Sequence, residues 1–406
     1  VPKPPADPEF AFDPLDTSRT KDPELWARIR RERGVCRPAP GIVFTARYAE
    51  TASTFRDARR FSSAGDMRAP GVVVPEEESF LGELDAPLHP KIRRVLLKGF
   101  TRVRAAAAEP WTRANVRGRL ERLAAKGGGD LMRELAIPLP GSVSAHELGI
   151  PDALHERMMG WCDELLHSTW PATGRTERGC GIAGAFPELA AALDQLIRER
   201  EAAGPEAADD LLALMVHARD ETGFRIAPRH VRTLAVNILA GSLSASYLLG
   251  NLLHRLVTAA GFEAALRADR AKIPAAVEES LRLEAPVTFL MRTAREEVEI
   301  GGCPVHAGEH VMLGIGSANR DERVYERASE FRLDRANAEE HLAFGLGPHV
   351  CLGNHLTRMV GKVVLEETLD RFAPRALRLA PGFAWRCVDH LQEYGPETLE
   401  VVVAAS

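Results

Sequence analysis

The run Phe344-Gly345-Leu346-Gly347-Pro348-His349-Val350-Cys351-Leu352-Gly353 constrains this chain more than any other stretch. Two glycines precede a cysteine and a third follows it. The apolar stripe Leu352, Leu356, Met359, Val360 and Val363 predicts a helix over 352–371, beginning directly behind the cysteine. A free thiol is mostly protonated at neutral pH. A helix N-terminus offers it unpaired N–H donors and positive partial charge, which favour the thiolate. The glycines let backbone approach a flat ligand closely, in conformations closed to other residues.

Composition bounds what surrounds this run. Across 406 residues, apolar side chains make up 45%, charged ones 27% and aromatics only 6%, so helical packing is expected rather than a sheet-rich core. Length alone leaves room for two or three domains, but large single units exist. The net charge of −5, with acids and bases interspersed, argues against nucleic acid as the main partner. The cysteines Cys36, Cys162, Cys180, Cys303, Cys351 and Cys387 are scattered, without a CxxC pair. A disulfide framework or zinc site is not expected, and a reducing cytoplasmic setting fits. The start, Val1 to Phe10, has neither signal-peptide nor anchor character. The stretch Leu234 to Leu253 is apolar enough to suggest a membrane span, but Asn237, Ser242, Ser244, Ser246 and Asn251 interrupt it. It reads as a buried helix.

Helices are expected at 21–35, widely from Lys91 onward, at 209–219, around 230–255 and at 352–371. Strands are expected at 41–46, as a hairpin of 297–300 and 303–305 around Gly301-Gly302, and at 399–403. Asp66 to Asp85 reads as a long loop, and loops of that length are usually functional. Gly127-Gly128-Gly129 reads as punctuation between helices.

With these residues in view, the chain resembles the soluble bacterial branch of the cytochrome P450 family. The pattern FGxGxHxCxG is matched at every defined position, and the likeness covers essentially the whole chain. It implies a mainly α fold with small β-sheets, a triangular prism holding haem b between the central long helix and the Cys loop. All of 1–406 would form one catalytic unit. Its β-rich portion would come from about 40–65, 285–312 and 380–405, its helix-rich portion from about 85–285 and 352–372. By resemblance, Cys351 is the iron ligand, Phe344 packs near the sulfur, Gly353 follows it, and His349 binds a propionate. A thiolate ligand pushes electron density onto haem iron and favours O–O cleavage. His89 and Arg93 match the family's HxxxR, and Arg292 its propionate-binding strand. Glu279 and Arg282 form an ExxR, implied to build a buried network with Arg335. Ala318-Asn319-Arg320-Asp321 and Phe61-Ser62-Ser63 extend the likeness.

The pattern breaks over the distal face. Where the family carries A-G-x-acid-Thr, this chain has Ala240-Gly241-Ser242-Leu243-Ser244-Ala245. Oxygen cleavage needs two protons, and leucine can neither donate nor accept one. Three readings follow, in order: ordinary monooxygenation with Ser244, water and substrate carrying protons; oxidation without oxygen insertion, as in coupling or ring closure; and peroxide-driven oxidation. A non-catalytic binding scaffold is the rival from another class.

Reductive activation requires a donor. Lys91, Arg94, Lys98, Arg102 and Arg104 form a basic stretch suited to an acidic ferredoxin, itself served by a ferredoxin reductase. The substrate is expected to be a medium-sized organic molecule, free or presented by a carrier protein, and the enzyme a monomer. Its contacts are expected from 66–84, 167–186, 287–291 and 394–397, with Phe80, Trp170, Leu239, Leu243, Val287, Phe289, Leu290, Met291, Tyr394 and Pro396 as lining residues.

Overall fold

The computed structural model describes residues 4–404, except 66–73, 168–174 and 178. Trp170 and much of the loop 66–84 thus lie outside the described residues.

Helix entry is set by local chemistry. Asp22 accepts from the backbone N–H of Glu24 and Leu25, and Pro23 opens the helix Pro23–Glu32. Thr101 caps the 24-residue helix Arg102–Ala125 through Arg104 N–H. That helix lies along Asn354–Arg371, the helix behind the Cys loop. Arg113 and Arg117 bind Glu367 at 2.9 and 2.6 Å, and Lys362 binds Glu109 at 3.1 Å. Asp210 caps Leu211–His217 by accepting from Ala213 N–H.

Among the described residues, β4 (Gly128–Asp130), β5 (Arg175–Thr176), β6 (Gly179–Cys180), β8 (Val298–Ile300), β9 (Cys303–Val305), β11 (Leu377–Leu379) and β12 (Glu400–Val403) lie outside the first sheet, whose five strands, β1 (Val35–Ala39), β2 (Ile42–Thr45), β3 (Phe61–Ser62), β7 (Leu290–Ala294) and β10 (His310–Leu313), are ordered β1-β2-β10-β7-β3. β2 and β10 run parallel, with Val43 beside Val311, although 268 positions separate them. β7 pairs antiparallel with β10, setting Arg292 beside Val311. The hairpin Val298–Ile300 and Cys303–Val305 turns through Gly301 and Gly302.

A second sheet joins Leu377–Leu379, Glu400–Val403 and Gly128–Asp130. Gly128 and Gly129 therefore separate two helices as expected, but as part of a strand rather than a loop. The reason is close approach: a Cβ on Gly128 would stand 2.3 Å from the carbonyl oxygen of Val401.

The long apolar stretch forms two helices, Pro228–Gly241 and Leu243–Thr258, rather than one. Ser242 breaks it: its hydroxyl donates to the Leu239 carbonyl at 2.5 Å, and Ala245 N–H bonds back only three residues, to Ser242. By length and composition the pair could span a membrane, but 67% of its apolar window is buried inside the protein.

Candidate active site

The loop before Cys351 is folded on itself. Cys351 N–H donates to the Phe344 carbonyl at 2.9 Å, and Gly345 N–H to Leu342 at 2.8 Å. Gly345 and Gly347 take positive φ, 67° and 71°. At Gly347 a Cβ would meet the Phe55 carbonyl oxygen at 2.8 Å, so glycine is required twice over. The helix starts at Asn354, three residues after the cysteine rather than immediately behind it. Donors still reach the sulfur: Gly353 N–H hydrogen-bonds it, and the Asn354 amide holds the Cys351 carbonyl at 2.7 Å.

Cys351 is solvent-accessible, yet its sulfur lies deep in the molecule, which places it on the wall of an internal cleft. Burial raises its thiol; Gly353 N–H, Arg93 and Arg358 pull it back only partly. A thiol so placed stays protonated without a metal and yields its proton on coordination. Phe344 is held beside the loop by Arg358, 4.6 Å over its ring, and by His341 at 5.6 Å.

Four nitrogen-bearing side chains converge near the loop. His89 and Arg93 come from Leu88–Leu97, Arg292 from β7, and His349 from the loop itself. The two imidazoles stack at 3.9 Å. Nε2 of His89 and Nδ1 of His349 are buried without a hydrogen-bond partner among the described residues. Burial, Arg93 and Arg292 push His89 down to about 4, and burial with His89, Arg292 and Arg93 pushes His349 down to about 3. Asp85 acts on His89 in the opposite direction but is itself engaged by Arg295, Ser62 and Ser63. Crowded cations and orphaned donors call for an anion. The Arg93 guanidinium also holds the Val350 carbonyl at 2.6 Å.

Leu352 packs against the buried cluster that contains Leu239 and Ala240. Beside them Gly241 faces open space: nothing stands within 4 Å of a Cβ built there. Leu243 is buried, and the Ser244 hydroxyl donates to the Gly241 carbonyl at 3.2 Å. A cysteine sulfur, two orphaned imidazoles and open space beside a broken helix fit a flat, iron-bearing dianion. Cys351 would hold its iron, and His89, His349, Arg292 and Arg93 its carboxylates.

Behind the loop lies an ionic core whose side chains are almost wholly buried. Arg282 binds Glu279 at 2.7 and 2.8 Å, and Arg335 binds the same carboxylate at 2.9 and 3.0 Å. Arg282 also donates to the carbonyls of Asn319, Ala328 and Glu330. The Asn319 side chain accepts from Leu342 N–H at 2.7 Å, tying this core to the Cys loop.

Several expected lining residues stand elsewhere. Phe289 is enclosed with Phe10, Phe12, Trp26, Phe44 and Met312, and Met291 packs against that cluster. Phe80 is a core residue beside Leu81 and Ile92. Pro396 packs toward Gly250. The Tyr394 hydroxyl faces Arg320 and Glu284. Val287 and Leu290 remain partly buried. In the basic stretch, Lys91, Arg94, Lys98 and Arg102 are exposed, whereas Arg104 is tied to Glu147 and Asp209, each at 2.9 Å. Sequence reasoning missed Glu393, His390, His167 and Tyr247, which meet from three distant segments.

This site defines a cysteine-ligated haem protein. Residues 256–378 match the family model described as Cytochrome P450. Cytochrome P450 130 of Mycobacterium tuberculosis is 33% identical over 348 residues, 82% of each chain. The cytochrome P450 monooxygenase PikC of Streptomyces venezuelae is 30% identical over 385 residues, 92% of this chain and 87% of that one. Among solved structures, cytochrome P450 CYP109Q5 from Chondromyces apiculatus has a TM-score of 0.84 at 27% identity, covering 98% and 99% of the two chains. HmtN, described as a post-tailoring hydroxylase involved in himastatin biosynthesis, has a TM-score of 0.76 at 29% identity, covering 89% and 91%. The chain belongs to the cytochrome P450 family. It has the P450 fold, and it is an oxidoreductase of the monooxygenase class that uses thiolate-bound haem.

Proposed function

We propose that this enzyme hydroxylates a medium-sized organic molecule in a biosynthetic pathway, with electrons from a ferredoxin and its reductase. The cluster of Cys351, His89, His349 and Arg292 around one cleft carries this reading. Bound there, haem supplies oxygen activation at a thiolate-ligated iron. The chain's own residues do the rest. His89, Arg93, Arg292 and His349 fix the cofactor's carboxylates, and Arg358 and His341 steady Phe344 beside the sulfur.

On the other side, Ser244 Oγ keeps a hydroxyl where protons are needed, and Leu243 excludes water without exchanging a proton. Val287, Leu290 and Leu239 shape the apolar wall. PikC and HmtN, named as a monooxygenase and a biosynthetic hydroxylase, support the substrate class. Exposed Lys91, Arg94, Lys98 and Arg102 support an acidic donor. All six cysteines are free, which suits a reducing cytoplasm.

The test is spectroscopic. The reduced protein with carbon monoxide is expected to show the red-shifted Soret band of thiolate ligation, and Cys351→His to lose it. A histidine-type band in the unaltered protein would exclude this assignment.

A further inference from the structure

The acid that the central helix lacks stands on another segment. Residues 387–396 lie across the helix Leu243–Thr258: the Asn251 amide donates to the Tyr394 carbonyl at 3.1 Å, and Gly395 sits where a Cβ would be 2.8 Å from that of Tyr247. The same segment is sewn to the approach of β7. Tyr394 N–H bonds Pro286 at 3.0 Å, Thr288 N–H bonds Gln392 at 2.8 Å, and Val287 pairs with Glu393. Successive side chains on extended backbone point opposite ways. Tyr394 goes to Arg320 and Glu284, so Glu393 takes the other side, where its charge acts on Tyr247 and is offset by His167 and Lys21.

No side chain hydrogen-bonds or pairs with the Glu393 carboxyl among the described residues. Burial raises this acid; His167, Lys21 and hydrogen bonds from the backbone N–H groups of Glu393 and Gln392 offset that only in part. Tyr247 is three residues beyond Ser244, on the same helix face and about 4.5 Å further along the axis. Its hydroxyl is 3.0 Å from Nδ1 of His390. His390 stacks on His167 at 3.8 Å, and Nδ1 of His167 is 3.0 Å from Asp163, whose side chain is 62% exposed. Asp389, Cys387 and Lys21 complete the charged and titratable groups around His390, Tyr247 and Glu393.

We propose that Glu393 supplies protons to the Ser244 side of the central helix in place of the acid missing at Leu243, and that Asp163 and His167 refill it from solvent. The proton leaves the Glu393 carboxyl, passes the Tyr247 hydroxyl and bridging water to Ser244 Oγ, and is replaced from the surface, so Glu393 ends each cycle as it began. This rests on the monooxygenase reading, in which one oxygen molecule, two electrons from the donor and two protons yield one inserted oxygen atom and one water.

The haem-loaded enzyme tests it without added substrate. Fed electrons by ferredoxin and its reductase, it partitions oxygen between peroxide, which takes two electrons and two protons, and water, which takes four of each. Glu393→Gln is expected to keep the thiolate carbon monoxide band. It is expected to raise the peroxide-to-water ratio about tenfold, and adding Leu243→Glu to lower that ratio again. An unchanged ratio would overturn the proposal. A wild-type protein without the thiolate band would instead sink the family-based reading beneath it.

Discussion

Glu278 shows how a single buried carboxylate ties stability near the haem loop to pH. It accepts from Arg358 at 2.6 and 3.0 Å and faces His341 at 3.2 Å. Burial alone would raise it, but the His341 and Arg358 hydrogen bonds win and lower it to about 2. The folded value is depressed, so the stabilisation is complete above the unfolded value near 4.5 and is lost as pH falls from there through about 2. It is on the order of 3 kcal/mol. Glu278→Gln is expected to flatten acid unfolding in that window, followed by circular dichroism. Gly347→Ala meets both a positive φ and the Phe55 carbonyl. It is expected to cost roughly 1–3 kcal/mol and to lower haem occupancy, read from the Soret-to-protein absorbance ratio. Of the demands on Gly347, the turn it makes was legible in the sequence because it arises within a ten-residue run, whereas the Phe55 carbonyl comes from a distant helix. Those on Glu393 were not legible, because its neighbours arrive from residues 21, 167 and 247.

Elements carry the rest of the site, and alternation decides what they show. On β7, Arg292 reaches the haem-side cluster of His89 and His349, so Leu290 shares its face while Phe289 and Met291 belong to the other. That parity was available from the sequence once Arg292 was assigned; taking the whole segment 287–291 as lining set Phe289 and Met291 beside Val287 and Leu290 without regard to it. The same rule separates Glu393 from Tyr394. The break at Ser242 was harder to read, since it depends on a serine hydroxyl turning back onto its own helix. The ionic core of Glu279, Arg282 and Arg335 is almost wholly shut off from solvent. Removing one partner of such a pair strands the others, at about 3–5 kcal/mol. Glu279→Gln is therefore expected to lower the urea midpoint sharply and to release haem, whereas exposed Arg59→Ala, paired loosely with Glu296 at 3.8 Å, should leave both unchanged.

At the scale of the whole molecule, charge and chain order matter most. The helix bearing Lys91 and Arg94 is capped by Lys98 and followed by exposed Arg102, whose field reaches His355 just behind the Cys loop. Reversing Lys98 and Arg102 to Glu is expected to slow the first electron transfer from an acidic ferredoxin about tenfold at low ionic strength, with the gap closing as salt is added. Arg104→Glu would confound that measurement by breaking its bonds to Glu147 and Asp209. The pairing of β2 with β10, and of Gly128–Asp130 with Glu400–Val403, has a further consequence. Neither sheet can close while the ribosome still holds the distal half, because each needs a strand made hundreds of residues after its mate. Cofactor capture at Cys351 therefore waits on strands made hundreds of residues after their mates, and until then the nascent strand edges stay unpaired, exposed to chaperones and to one another.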